Sequence, residues 1–167
     1  LRDAWEVTKG ENATVVIFDT GFAPGLISNG RLAGTFSGEG VDDVYAPAEG
    51  HGTMTAGAAA ASKEDGLPFN GAAPGADVAL VRITDEKGQI RQDIIANGWD
   101  WVMDQDFGGP AVVNHSYGTP LCSGRPKQKF CDSPMIDVIK AANSRAGITS
   151  VYAAGNEAMQ CGHRPSG

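Results

Sequence analysis

The feature that most constrains the fold is an alternation of short apolar runs, typical of buried strands, with longer segments of helical character. The strand-like runs are residues 14–18, 77–83, 111–114 and 149–154. Three predicted helices lie after or between them: residues 51–61, residues 92–104, and a segment that starts at Ser133-Pro134 and stops at Gly147. Apolar strands joined by helices form parallel sheets with right-handed crossovers. The sequence therefore predicts an α/β fold of three layers, a mostly parallel sheet with helices on both faces.

The predicted helices rest on composition and spacing. Residues 51–61 are rich in alanine, the strongest helix former. Ile95, Trp99 and Val102 recur at helical spacing and form one apolar face. The stretch 21–50 is rich in glycine and shows no helical pattern, so no element is predicted there.

Length and charge exclude several classes of protein. The chain has 167 residues, 41% of them hydrophobic, which suits one domain with a substantial core. No apolar run approaches the ~20 residues of a membrane helix, and the first residues lack the features of a signal peptide. Because residue 1 is Leu rather than Met, we expect an N-terminus made by processing. A net charge of −7 without a basic cluster gives no electrostatic basis for binding nucleic acid.

The three cysteines do not form a Cys-x-x-Cys pair. Cys122 and Cys131 bracket a polar loop that a short disulfide could close, which predicts an oxidising compartment and a secreted or extracytoplasmic protein. Cys161 and His163 could contribute to a zinc site, but a fourth ligand is hard to name, and no metal ligand is assigned.

Polar residues directly after strands are the candidates for chemistry, because ligands of open α/β sheets bind beyond the carboxyl ends of the strands. Asp19, Ser116 and Asn156 follow three of the strands, and His51 opens a helix. An aspartate and a histidine so placed can be the orienter and base of a nucleophilic triad. Singly, each is more often a turn former or a cap. Asn156 is either a turn residue or an amide donor to an oxyanion.

Four motifs in combination are more specific than any single residue. They are residues 16–21 (VIFDTG), 51–57 (HGTMTAG), 113–118 (VNHSYG) and 151–157 (VYAAGNE). In order and spacing they resemble the subtilisin-like serine proteases, in which the triad order is Asp, His, Ser. The resemblance covers essentially the whole chain and implies a subtilisin-like fold and a serine endopeptidase that cleaves proteins or peptides without a required cofactor.

The resemblance also implies a role for individual residues. Asp19 would orient His51, His51 would act as general base and acid, and Asn156 would donate its amide to the oxyanion. The pocket for the substrate residue before the scissile bond would be flanked by two segments of small or polar residues. These are Ser116, Tyr117 and Gly118 in one segment, and Ala153, Ala154 and Gly155 in the other.

The nucleophile of the family lies in a Gly-Thr-Ser motif that this sequence lacks. Ser150 is a near miss, but it lies inside a predicted strand. We therefore expect residues 1–167 to be the N-terminal portion of a single catalytic domain, inactive alone. Its partner would be a C-terminal segment of the same precursor that carries Gly-Thr-Ser and is separated by proteolytic processing.

Two positions depart from the family pattern. Met54 stands where a second histidine is common, and we expect it to serve packing. His115 replaces a usually apolar residue and is expected to bring an ionisable ring close to the substrate cleft. The resemblance also implies that structural calcium could bind, with Asp42-Asp43 or Glu64-Asp65 as contributors, but neither pair has a convincing ligand spacing and a solvated acidic loop is the favoured interpretation of both.

Three alternatives stay open. In an α/β-hydrolase, Ser116 would be the nucleophile with Asp137 and His163, but the glycine before the elbow is missing and no helix follows it. A dehalogenase-like phosphatase would need an Asp where Gly21 stands. A catalytically inactive subtilase-like binding or regulatory module would explain the missing serine, but not the presence of Asp19 and His51 together with Asn156.

Overall fold

One sheet of five parallel strands runs through the protein, for which a computed structural model describes residues 1–41, 43–46, 50–118, 134–145 and 147–155. The strands are β1 Thr14–Asp19, β2 Leu32–Ser37, β3 Asp77–Arg82, β4 Ala111–His115 and β5 Ile148–Tyr152. The helices are α1 Arg2–Trp5, α2 Gly50–Ala60, α3 Gln92–Asp104 and α4 Pro134–Ser144, with one 3₁₀ turn at Lys63–Asp65.

The strand order is β2-β3-β1-β4-β5, which puts β1 at the centre of the sheet. Phe18 of β1 lies opposite Val81 of β3 on one side and His115 of β4 on the other. β2 and β3 lie on one side of β1, and β4 and β5 lie on the other. The direction in which successive strands are added to the sheet therefore changes beside β1. Parallel sheets bind ligands at such a switch point, beyond the carboxyl ends of the strands.

Helices cover both faces of the sheet. On one face, Ala56 and Ala60 of α2 pack against Ile17 of β1. On the opposite face, Trp99 of α3 and residues of α4 pack against Phe18. The predicted three-layer α/β class is confirmed, and every pairing in the sheet is parallel.

The sequence analysis missed β2, which lies in the glycine-rich stretch where no element was predicted. β2 is an edge strand, and its residues are only partly buried, so its sequence carries no continuous apolar run. Gly34 lies in its middle because a Cβ there would come within 2.9 Å of the Trp101 ring. A residue that weakens a strand locally is thus required by the helix packed on it.

No helix among the described residues has the length and apolar character needed to cross a membrane.

Gly98 tests how closely α3 packs on the sheet. A Cβ at this position would lie 2.9 Å from Val81 Cγ1 and 3.0 Å from Phe18 Cε1. We expect Gly98→Ala to lower the free energy of unfolding by about 1 kcal/mol or more, because overpacking outweighs the better helix propensity of alanine. Urea unfolding measures the change. Asn97→Ala, at the exposed neighbouring position, is the control and should be neutral or stabilising by about 0.5 kcal/mol. A stabilised Gly98→Ala variant would contradict the packing described.

Candidate active site

Asp19 and His51 meet at the carboxyl edge of the sheet. Asp19 is the last residue of the central strand β1, and His51 is the second residue of α2. His51 Nδ1 lies 2.8 Å from Asp19 Oδ1 and 3.0 Å from Oδ2. The structure therefore brings together the two residues that the sequence proposed as orienter and base.

Gly52 allows this close approach. A Cβ on Gly52 would lie 2.2 Å from the carbonyl oxygen of Gly21 and 3.0 Å from Asp19 Cβ. The first turn of α2 can therefore rest directly on the end of β1 only because residue 52 has no side chain. In the motif HGT, the glycine is a requirement of packing.

The Asp19 carboxylate is almost completely buried, with 2% of its side chain exposed. A buried charge is stable only when hydrogen bonds replace its lost hydration. Besides His51, the carboxylate accepts bonds from the Thr20 backbone N–H at 2.8 Å, the Thr20 hydroxyl at 3.2 Å and the Thr55 hydroxyl at 2.8 Å. Such charge-assisted bonds fix the orientation of the carboxylate.

Sequence reasoning assigned no role to Thr55. It stands four residues after His51 on α2, and residues at that spacing share a helix face. The same hydroxyl oxygen lies 3.0 Å from the Gly52 carbonyl oxygen, so the hydroxyl group lies between the backbone of α2 and the Asp19 carboxylate. This spacing is the signal that the sequence offers for Thr55, but it does not show that this face of the helix meets Asp19.

The His51 side chain is 49% exposed, and among the described residues its Nε2 has no hydrogen-bond partner. A carboxylate at Nδ1 can only accept, so Nδ1 carries the proton and Nε2 of the neutral ring carries a lone pair. The imidazole therefore presents a base to solvent on the open side of the site.

The two predicted substrate-binding segments extend β4 and β5 at the same edge of the sheet. Ser116, Tyr117 and Gly118 directly follow β4, and Ala153, Ala154 and Gly155 directly follow β5. The Ala153 N–H donates to the His115 carbonyl at 3.0 Å, which holds the beginnings of the two segments side by side. Asp19 follows Phe18, the partner of His115 in the register, so all three strand ends lie at one level.

His115 lies beside the predicted substrate-binding segments, as expected, and its side chain is fully buried rather than exposed to solvent. Its ring packs among Phe18, Trp99 and Tyr152 on the α3 side of the sheet, and Nδ1 lies 2.9 Å from the Tyr117 hydroxyl. Burial lowers the pKa of His115 to about 4. Burial, with smaller effects of Tyr152 and Asp19, raises the pKa of Tyr117.

Met54 is the other departure from the family pattern, and the packing role expected for it is wrong. Its side chain is 65% exposed on α2, one turn after His51.

Two serines considered as nucleophiles have other partners. Ser116 exchanges hydrogen bonds with the Asn114 amide at 2.9 and 3.3 Å. Ser150 donates to Asn143 of α4 at 2.6 Å, on the face opposite α2. No serine in the part of the chain that the structure describes hydrogen-bonds to His51.

Several predicted residues lie outside the described ranges. They are Asp42, Cys122, Cys131, Asn156, Cys161 and His163. The oxyanion role, the disulfide and the extracytoplasmic location that rests on it therefore stay predictions. Within the described ranges, no three His, Cys, Asp or Glu side chains cluster to hold a metal ion, and Asp65 is paired with Arg31.

A buried carboxylate that orients a half-exposed imidazole at the switch point of a parallel sheet is typical of hydrolases that activate a nucleophile. The chain belongs to the Subtilase family of serine proteases, whose sequence profile matches residues 10–166. It therefore lies outside the α/β-hydrolase class considered above. Thermitase of Thermoactinomyces vulgaris is 33% identical over 69% of this chain and 40% of its own length. Fervidolysin of Fervidobacterium pennivorans is 32% identical over 92% of this chain and 24% of its own.

The fold is also that of a solved subtilisin-like protein. The CspB protease of Clostridium perfringens matches with a TM-score of 0.74, at 23% identity, over 93% of this chain and 38% of that one. The chain thus spans less than half the length of these relatives, and the extent of its own domain stays a prediction.

Gly52 gives a test of the packing that joins Asp19 to His51. We expect Gly52→Ala to lower the free energy of unfolding by about 2 kcal/mol, because the new methyl group meets the backbone oxygen of Gly21. Urea unfolding measures the loss. Gly50→Ala is the control, since a Cβ there has nothing within 4 Å. Equal stability of the two variants would refute the close approach.

His115 predicts a pH dependence of stability. Its pKa is about 4 in the folded protein and about 6.5 when unfolded, so between these values only the unfolded chain binds the proton. Above pH 6.5 this difference has no effect on the free energy of unfolding. As the pH falls from 6.5 to 4, it lowers the free energy of unfolding by about 3 kcal/mol. Urea unfolding across this range should show a shallower pH dependence for His115→Phe than for the unmodified protein. Parallel curves would contradict the buried neutral imidazole.

Proposed function

We propose that residues 1–167 supply the acid–base pair and the substrate-binding edge of a serine endopeptidase. The observation that carries this proposal is the bond of 2.8 Å between the buried Asp19 carboxylate and Nδ1 of His51, with Nε2 left open. The family to which the chain belongs consists of serine proteases, and protein or peptide substrates follow from that membership.

In the proposed mechanism, His51 Nε2 accepts the proton of a serine hydroxyl as that oxygen attacks the carbonyl carbon of the scissile bond. The imidazolium then carries a proton on both nitrogens, and the fixed charge of Asp19 stabilises it at Nδ1. His51 next delivers the proton to the leaving amine as the scissile C–N bond breaks, which leaves the acyl group on the serine oxygen. A water molecule deprotonated by His51 then releases that group as a carboxylic acid and restores the serine hydroxyl. Thr20 and Thr55 keep the Asp19 carboxylate oriented throughout, because their bonds to it do not change during the proton transfers.

The oxyanion and the substrate would be held by groups at the same edge. Asn156 would donate its amide to the oxygen that becomes negative in the tetrahedral intermediate. Residues 116–118 and 153–155 would bind the substrate on either side of its pocket. Support for this comes from their position: both segments leave neighbouring strands at the level of Asp19.

The serine itself would come from a Gly-Thr-Ser segment outside residues 1–167. The sequence of these residues contains no Gly-Thr-Ser, and the hydroxyls of Ser116 and Ser150 are engaged with Asn114 and Asn143. A base can activate only a hydroxyl within about 3 Å. On this proposal, residues 1–167 are inactive by themselves and become active when that segment is bound.

A fluorophosphonate probe and a peptide assay test this proposal together. Residues 1–167 alone should neither hydrolyse peptides nor take up the probe. With a segment carrying Gly-Thr-Ser, hydrolysis should appear and the label should sit on that segment. In the assembled enzyme, His51→Ala should lower kcat by at least about 10³-fold, and Asn156→Ala by about 10²–10³-fold with little change in KM.

Met54→Leu is the matched control, an exposed residue on the same helix whose replacement should leave kcat within about twofold. Label on Ser116 would overturn the assignment of the nucleophile. Assembled protein that binds peptides but neither reacts with the probe nor hydrolyses them would be an inactive module.

A further inference from the structure

His115 contacts both predicted substrate-binding segments from the α3 side of the sheet. Its Nδ1 lies 2.9 Å from the hydroxyl of Tyr117, the middle residue of the first segment. Its ring is stacked on Tyr152, with centroids 4.5 Å apart and planes 8° apart, and Tyr152 directly precedes the second segment. Its carbonyl accepts the N–H of Ala153, the first residue of that segment.

The ring is held from every side. Phe18 and Trp99 pack against it with centroids 4.9 and 5.2 Å away, and none of its surface is exposed. A side chain in such close packing has one orientation. The Tyr117 hydroxyl bonded to it is therefore also restricted to one position.

Stability alone does not account for an imidazole at this position. His115 Nε2 and Trp99 Nε1 are the buried side-chain polar atoms without a hydrogen-bond partner in the described part of the chain. An unpaired buried polar atom is destabilising, and an aromatic hydrocarbon ring would fill the space without it. What the imidazole adds over such a ring is the bond from Nδ1 to Tyr117.

We propose that His115 is a positioning residue that holds the two substrate-binding segments, 116–118 and 153–155, at a fixed separation. This inference rests on the proposed function for the identity of the segments as substrate-binding. His115 acts through Tyr117 on one side and through Tyr152 and Ala153 on the other, and it touches no substrate. It lies on the α3 face of the sheet, whereas Asp19 and His51 lie on the α2 face. Its loss should therefore alter substrate binding more than the proton transfers.

Steady-state kinetics of the assembled enzyme test the inference. His115→Phe keeps the stacked ring and removes Nδ1, and Tyr117→Phe removes the hydroxyl that Nδ1 contacts. We expect each variant to raise KM about 3–10-fold with kcat within about twofold, and the double variant to be no worse than either single one. His115→Asn should raise KM less than His115→Phe does, because its amide places a polar atom near the position of Nδ1.

Amide hydrogen exchange provides a readout that does not depend on catalysis. In His115→Phe, residues 116–118 and 153–155 should exchange about tenfold faster than in the unmodified protein, while β1 is unchanged. Val113→Ala is the control, because it removes buried volume from the same face of β4 without touching either segment. It should lower stability without a selective change in KM or in the exchange of the two segments.

Each outcome decides the question. Unchanged KM and unchanged exchange in His115→Phe would overturn the inference. Faster exchange along the whole chain, with the same kinetics as Val113→Ala, would also overturn it, because it would show a general loss of stability. An effect of His115→Phe that Tyr117→Phe does not share would also overturn it. If the unmodified assembled enzyme does not hydrolyse peptides, the proposed function fails, and the exchange data still show whether His115 positions the segments.

Discussion

The burial of one carboxylate is the constraint on which the site depends. Asp19 ends the central strand, where neighbouring strands and a helix exclude water from it. Its charge is stable there only because an imidazole, a backbone N–H and two hydroxyls point at it. Those donors come from Thr20, directly after β1, and from α2, so the fold must hold these two elements in contact before the site can exist. Gly52 permits that contact.

The alternation of side chains along a strand divides the edge of the sheet into two functional faces. Asp19 points to the α2 side, where His51 carries the proposed proton transfers, while its neighbour Phe18 points to the α3 side. There Phe18 packs against His115, which in turn stacks on Tyr152, next to the proposed substrate-binding segments. Because successive residues of a strand face opposite ways, chemistry and positioning can be supplied by adjacent residues without competing for space.

Membership of the Subtilase family accounts for the order of the motifs, and some residues of this chain need their own explanation. Thr55 was overlooked because a threonine within an alanine-rich helix has no distinctive pattern, and its role depends on what the helix packs against. β2 was overlooked because an edge strand with glycine in its middle lacks the apolar run that marks a buried strand. In both cases the deciding partner lies far away in the sequence: Asp19 for Thr55, and Trp101 for Gly34.

The sequence by itself determined the parallel α/β architecture, four of the five strands (β1, β3, β4 and β5), and the pairing of an aspartate at a strand end with a histidine at a helix start. These follow from local patterns, since hydrophobic period and helix signals act over a few residues. Only the tertiary structure decided that His115 is buried and Met54 exposed, that Ser116 is bonded to Asn114, and that Thr55 supports Asp19. Burial and hydrogen-bond partners depend on which distant elements pack together, and local patterns in the sequence do not show which elements those are.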